Sequence, residues 1–383
     1  MNLYKTLYKV YKNYVKYILS YKIVDNMYNY MCVAEYIWLD ANKKFRSKTK
    51  VIPKFFPGVV SADGNDVGMY PRWDYDGSST GQASGISSEI ILVPIFVCDN
   101  PLLQNSVNNI NSNHVIMRKL VLCETFYVDG KPTLENSRHA ATTIFDVCLE
   151  QNPWFGLEQE YFIFDDKTYN EEYKKGFYEM GMHYCGVGCQ VSHRQLVEEH
   201  MAACLNAGLN ISGINAEVSK DQWEFQVGPS EGIRASDELL MGRYLLERIA
   251  EKYQKTICYD PKPFTYINGS GCHANFSTSL MRDKGGDGVG GINEIHRVIQ
   301  NMEKHHAKDI QLYGKDNDKR LSGIHETSSY DKFSWGVANR GASVRINNNT
   351  HRDGFGYFED RRPAANMDPY LVTSILMQRV IED

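Results

Sequence analysis

The chain has 383 residues, enough for one large or two ordinary domains with real cores, and its 42% hydrophobic and 23% charged residues are those of a soluble globular protein. A net charge of −5 argues against a nucleic-acid surface, so any positive site has to be local. The nine cysteines are scattered without a CxxC pair, and Cys185 and Cys189, as CxxxC, lack a zinc-ribbon spacing, so they read as reduced core residues in a reducing compartment.

The chain opens on "NLYKTLYKVYKNYVKYILSY", which has helical rhythm: Leu3, Leu7, Val10, Tyr14, Tyr17 and Tyr21 share one face, with Lys5, Lys9, Lys12 and Lys16 opposite. The lysines interrupt any signal-peptide core, and no apolar run reaches membrane length. With no Arg and little Ser or Thr, residues 1–30 read as an amphipathic extension that docks on its own protein or on a neighbouring subunit. From Cys32 to about Gly130 the pattern is of strands: "CVAEYIWLD", "FRSKTKVI", "EIILVPIFV" and "HVIMRKLVLCETFYV". The Asn- and Ser-rich "LQNSVNNINSNH" (103–114) reads as a surface loop. "SRHAATTIFDVCLEQ" then reads as a helix opening a second region, where "LVEEHMAACLNAGL" and "INEIHRVIQNMEKHHAKDI" are helical and "NAEV", "WEFQV" and "ANFSTSL" are strands. The outline is a small β-rich domain (31–134) before a larger α+β domain (135–383).

Within "GLEQEYFIF" (156–164), an aromatic strand, Glu158 and Glu160 stand two apart and so project from one face, about 7 Å apart. In "INAEVSKDQWEFQVG" (214–228), a hairpin centred between Lys220 and Asp221 sets Glu217 opposite Glu224, about 5 Å apart. At an effective dielectric near 20, such a pair repels by about 3 kcal/mol. A divalent cation resolves both repulsions, since hard ions such as Mg²⁺ or Mn²⁺ take carboxylate oxygens and tolerate an imidazole. His273 in "NGSGCHANFST", preceded by Gly269 and Gly271, and Glu359 in "GYFEDRRP" are further candidates. Five glutamates and one histidine could hold two or more ions.

Metals bound mainly by carboxylates commonly serve phosphoryl chemistry, and arginine suits bidentate clamping of phosphate or carboxylate. Arg320, Arg340, Arg345, Arg361 and Arg362 punctuate the last third of the chain. "GGDGVGG" (285–291) lacks a GK[ST] and reads as a flexible loop, and His305–His306 lie on a polar helix without HExxH.

Taken together, "YDGSSTGQASG", "WFGLEQEY", "NAEV…WEFQVGP", "NGSGCHANFST", "RLSGIHETS", "NRGASVRI" and "FEDRRPAANMDPY" resemble glutamine synthetase of the eukaryotic type, from about Tyr36 to Tyr370 and in the family's order. The resemblance implies a β-grasp small domain and a catalytic domain on a curved antiparallel sheet. It implies ATP-dependent ligation of ammonia to the γ-carboxylate of glutamate through γ-glutamyl phosphate, with two or three Mg²⁺ or Mn²⁺ ions per site. Glu160, Glu217 and Glu224 would hold one metal, and Glu158, His273 and Glu359 another. Arg345 and Arg361 match positions handling the γ-phosphate and the intermediate, and Arg320 and Arg340 those gripping substrate carboxylate and phosphate. Asn268, Gly269 and Tyr184 match substrate positions, Trp154 and Tyr357 the nucleotide-side aromatics, and Glu326 the flap glutamate. Asp76, with Ser79 nearby, matches the base that deprotonates ammonium.

The resemblance also implies a cytoplasmic homo-oligomer, two stacked five-membered rings with sites between adjacent subunits, although the basic N-terminal helix leaves an organellar address open. The sequence departs from the pattern in the longer Asn-rich loop and at Cys98, where relatives often carry arginine. A γ-glutamyl-amine ligase should remodel "YDGSS", and a catalytically silent relative should have lost matched positions; here all are intact.

Overall fold

The computed structural model describes residues 29–53, 67–103, 114–165, 182–284 and 288–382. The N-terminal amphipathic stretch, most of the Asn-rich loop and part of "GGDGVGG" lie outside the described residues. The chain divides into two compact units, Met1–Asp129 and Gly130–Asp383.

The first unit holds β1 (Asn29–Leu39), β2 (Phe45–Pro53), β3 (Trp73–Asp76), β4 (Glu89–Asp99) and β5 (His114–Tyr127), in the order β2-β1-β5-β4-β3. β1 and β5 run parallel and the other pairs antiparallel. Period-2 alternation sends Cys32, Ala34, Tyr36 and Trp38 of β1 into the core with Tyr75, Ile90, Leu92 and Val121. Tyr36 meets Trp73 edge-on at 5.5 Å, and the ammoniums of Lys48 and Lys50 lie 3.5 and 4.0 Å from the centre of the Trp73 ring. Side chains of β1 and β2 therefore touch β3 from the opposite edge, so the sheet rolls over its own core. Four-residue β3 carries two aspartates and leaves too short an alternation to read from sequence.

The second unit holds β6 (Trp154–Phe164), β7 (Ile211–Ala216), β8 (Gln222–Glu231), β9 (Thr256–Cys258), β10 (Cys272–Ser277), β11 (Trp335–Val337), β12 (Val344–Ile346) and β13 (Phe358–Asp360). They form one curled eight-stranded sheet, β11-β12-β13-β10-β6-β8-β7, with β9 on the far end of β6. All pairs are antiparallel except β11 with β12. Register shifts between Phe155 and Leu157 and between Ile211 and Gly213 mark bulges, which bend and twist the strands that carry them.

The longer helices are α1 (Ser137–Val147), α2 (Arg194–Ala207), α3 (Arg234–Lys252), α4 (Ile292–Asp309) and α5 (Pro369–Ile381). α3 packs on β6, β8 and β9, and α2 on β7. The buried charges of α3 are paired: Asp237 accepts from Arg138 at 2.8 and 3.0 Å, and Arg243 donates to Gln159 at 2.7 Å and to the carbonyls of Met367 and Ala365. Gln159 thus anchors β6 to the helical layer, and its neighbours Glu158 and Glu160 must point the other way.

Four readings from sequence are corrected. "NAEV" is strand only through Ala216, and "ANFSTSL" ends as a strand at Ser277, where Thr278 caps a helical turn, Ser279–Arg282. The His305–His306 helix is not polar throughout, because His306 is buried against the Tyr330 carbonyl and Arg362. All nine cysteines are free, but only seven are buried; Cys185 and Cys189 are exposed.

Candidate active site

The curled sheet of the second unit bounds a cavity of about 560 Å³. β6 supplies Glu158 and Glu160 to it, on the face that alternation leaves free of helices. Glu160 stands directly across from Glu224 on β8, and His273 of β10 directly across from Glu158. The pairing inferred for Glu217 and Glu224 is corrected. Val218 to Asp221 form the connection, with Asp221 left-handed at φ 59°, so Glu217 pairs with Gln222 and Asn215 faces Glu224. The slip is two residues, which keeps every side chain on its face. Glu217 therefore still reaches the same place.

Two clusters result. Ligand atoms of Glu160, Glu217 and Glu224 all lie within 4.8 Å of one another, as do those of Glu158, His273 and Glu359. In the second, the His273 Nδ1 is 3.5 Å from Glu158 and 3.4 Å from Glu359. Burial, then neighbouring carboxylates, raise Glu160 and Glu224 far above the usual carboxylate range, and burial raises Glu217. Burial first, then Arg361, holds His273 well below the usual imidazole value, hence neutral.

These residues fit divalent cations on their own chemistry. Buried carboxylates at this spacing repel by about 3 kcal/mol per pair at an effective dielectric near 20, and a neutral imidazole is a ligand while an imidazolium is not. Glu359 adds an orphan: its buried Oε2 has no aligned hydrogen-bond partner, although Arg345 Nε lies 2.5 Å away. Oxygen-rich, carboxylate-dominated sets suit magnesium or manganese better than zinc.

Arginines surround the acids. Arg345 on β12 stands across from Glu359 on β13, and Arg361 reaches the other Glu359 oxygen at 2.7 Å. Arg361 also donates to the carbonyls of Arg340 (3.2 Å) and Glu326 (3.4 Å), tying three segments of the wall together. Arg320 is buried, and donates to the carbonyls of Arg361, Arg362 and Pro363 and to Asn317. Gly269 and Gly271 allow this approach: a Cβ on Gly269 would lie 2.2 Å from the Pro261 carbonyl and 2.8 Å from Arg320, and one on Gly271 would lie 2.9 Å from His273. The close approach that glycine permits here is to protein, where the sequence suggested a ligand. His325 and Glu326 are consecutive left-handed residues, φ 55° and 57°, a costly conformation for side chains with a Cβ.

Arg320, Arg340, Arg345, Arg361, Tyr184, Asn268, Gly269 and Glu326 line the cavity with every cluster residue except Glu359, which is buried behind Arg345 and Arg361. Trp154 and Tyr357 are not among its lining residues; both are half-exposed, and Trp154 carries the Arg282 guanidinium 4.1 Å from the centre of its ring. Register brings Trp154 beside Ser277 on β10 and Tyr357 to the start of β13, both at the end of the sheet away from His273. Arg362 is a correction to the arginine set: fully buried, it pairs with Asp360 at 2.8 Å and lies over the rings of Tyr313 and Phe333.

Asp76 and Ser79 belong to the first unit. Asp76 ends β3 and caps the turn Gly77–Thr80, accepting from the Ser78 N–H at 3.0 Å, the Ser78 hydroxyl at 2.6 Å and the Ser79 hydroxyl at 2.5 Å. The serine hydroxyls hold its pKa down to about 2. Sequence reasoning missed Asn215, Gln222, Gln226 and His325, which also line the cavity. For Asn215 and Gln226 a signal existed, since each lies two residues from a candidate ligand glutamate and shares its face.

Residues 138–382 match the family described as "Glutamine synthetase, catalytic domain". A "Glutamine synthetase" of Agaricus bisporus is 46% identical over 354 residues, 91% of this chain and 93% of its own length. One from Candida glabrata is 45% identical over 365 residues, covering 94% of this chain and 91% of that protein. A protein of Acanthamoeba polyphaga mimivirus is 45% identical over 360 residues, 94% and 96% of the two chains. The chain belongs to the glutamine synthetase family. Its activity is that of a glutamate–ammonia ligase, the ATP-dependent synthesis of glutamine from glutamate and ammonia. Glutamine synthetases use ATP with divalent metals, the kind of ion the carboxylate clusters suit. Among the described residues, no helix is long and apolar enough to cross a membrane.

Proposed function

We propose that the glutamine synthetase reaction runs in the cavity of the second unit in two steps: the γ-carboxylate of glutamate attacks the γ-phosphorus of ATP, releasing ADP, and ammonia then displaces phosphate from γ-glutamyl phosphate. The observation that carries this is the pair of three-residue metal-ligand clusters facing four arginines across one cavity. Glu160, Glu217 and Glu224 would hold one ion and Glu158, His273 and Glu359 another, magnesium or manganese, two or three per site. Bound there, the ions would neutralise phosphate charge and polarise the transferring group. Arg345 and Arg361, fixed by Glu359, offset the charge of the two anions brought together. Arg320 and Arg340 grip the carboxylate and phosphate, while Asn268, Gly269 and Tyr184 receive glutamate and Trp154 and Tyr357 flank the nucleotide. Glu326 guards the acyl phosphate from water.

Asp76 and Ser79 serve ammonium. A carboxylate with a pKa near 2 is a poor resting proton acceptor, so its first contribution is negative charge that binds the cation. The first unit is read as a β-grasp, with domains at 31–134 and 135–383. The assembly is read as a cytoplasmic homo-oligomer of two stacked five-membered rings with sites between neighbours. The test is glutamine formation with and without ammonium, ATP and metal. Glu158→Ala and Glu217→Ala should abolish turnover with the fold intact, and activity retained in both would sink the metal assignment.

A further inference from the structure

The cluster of Glu160, Glu217 and Glu224 has a neutral support that no step above uses. Gln226 follows Glu224 by two positions on β8, so both side chains leave the same face. Its Nε2 donates to the Asn215 Oδ1 at 2.9 Å and, at shorter range, to the Glu224 Oε1. Asn215 in turn donates its Nδ2 to the Glu217 Oε1 at 2.9 Å. A primary amide donates only from nitrogen and accepts only on oxygen, so the chain Glu224–Gln226–Asn215–Glu217 reads in one way, with an NH₂ end toward each carboxylate. Its surroundings fit it closely. The β7 bulge sets Gly213 opposite Gln226, where a Cβ would lie 2.4 Å from the Gln226 Oε1. On its other side Gln226 is the register partner of Glu158, which belongs to the neighbouring cluster.

We propose that Asn215 and Gln226 are positioning residues that hold Glu217 and Glu224 in the one pair of rotamers that closes the three-carboxylate cluster on a divalent cation. The proposal rests on the metal-binding role given to that cluster above. Two carboxylates so close repel and would swing apart into different rotamers. One neutral donor on an oxygen of each opposes that motion without competing for the ion. A carboxylate or ammonium in place of either amide would add charge, and an apolar residue would supply no donor.

The experiment is a Mn²⁺ titration of the full chain, followed by the electron paramagnetic resonance of the free ion, for wild type, Gln226→Met, Asn215→Ala and the double variant. Each single change should raise the Kd of the tightest site by about tenfold or more. The double variant should be little worse than the poorer single one, because both cut one chain. Melting in chelator should stay near wild type, and kcat should recover at saturating metal while the metal concentration for half-maximal rate rises. Affinities within twofold of wild type in the single variants would overturn the relay. If Gln226→Met does not fold by circular dichroism, Asn215→Ala carries the same test from the other end. A wild type that binds no Mn²⁺ would overturn the metal reading and the relay with it, whereas a wild type that binds beside variants that bind equally would overturn the relay alone.

Discussion

Arg361 and Arg362, just past the end of β13, are adjacent in sequence and opposite in consequence: one lines the cavity and the other lies in the core. Removing Arg362 would leave Asp360 charged, buried and without its bidentate partner. Arg362→Met is therefore expected to cost about 3–5 kcal/mol in urea unfolding. Arg345→Met, at the wetter wall, should change stability by no more than about 1 kcal/mol while lowering kcat by about a hundredfold or more. Similar stability losses in the two would mean that the core and cavity assignments are wrong. Asp76 makes a different residue-scale prediction. Its serine hydrogen bonds favour the ionised form, so their contribution is fully present above an ordinary carboxyl pKa near 4 and is lost only as pH falls through about 2. Between pH 5 and 9 the charge of Asp76 should be constant. The ratio of kcat/KM for ammonium between wild type and Asp76→Asn should then be flat over that range, and a ratio that collapses below pH 6 would contradict it.

At the scale of elements, α2, α3 and β8 meet at His200, whose Nε2 faces the Gly242 carbonyl at 2.9 Å and whose ring stands edge-on to Phe225. Its buried Nδ1 has no partner among the described residues, so a second proton has nowhere to go, and burial lowers the pKa to about 4. The native ring stays neutral while the unfolded one, near 6.5, takes up a proton. Stability from this residue is therefore whole above pH 6.5 and falls as pH drops toward 4. Between pH 6.5 and 4.5, wild type should lose about 2 kcal/mol more than His200→Gln in urea titrations; equal losses would sink the assignment. Long strands such as β1 and β6 were legible because alternation and β-branched or aromatic content survive a one-sided core. α3 and α5 were not read as helices. α3 buries most of its length, with Asp237 and Arg243 paired to neighbouring elements, so it shows no clean polar stripe, and the apolar, β-branched run of α5 resembles a strand. The β7–β8 connection defeated the register reading because nothing in "SKDQ" announces that Asp221 is left-handed. The carboxylate cluster survived that slip, since two residues are a full period of the pleat.

For the whole molecule, the ligand list was legible from like charges placed on one strand face, which a fold tolerates only with a cation. Its division into two triads was not legible from residues alone, because Glu158, His273 and Glu359 meet only through strand pairings far apart in sequence. Asp76 lies in one compact unit and the proposed metal ligands in the other. If the proposed ring assembly joins one subunit's Asp76 to its neighbour's cavity, Asp76→Ala and Glu158→Ala chains, each inactive, should complement when denatured and reassembled together. Random mixing gives about a quarter of sites both intact halves, and activity should return to about that fraction. Mixtures as inactive as the parents would place Asp76 outside a shared site.

The two triads also differ in when they can exist. Glu160, Glu217 and Glu224 are all present once the chain has grown just past β8, whereas the other triad waits for Glu359, about 135 residues later. At about 5–20 residues per second, the ribosome takes on the order of ten seconds to make that stretch. A nascent chain would thus acquire its two proposed ion-binding pockets in sequence, one from a hairpin and its neighbouring strand, the other only when β13 joins the sheet. Occupancy of the later pocket would report a finished domain, and a chain truncated before β13 could load the first ion without ever being able to load the second.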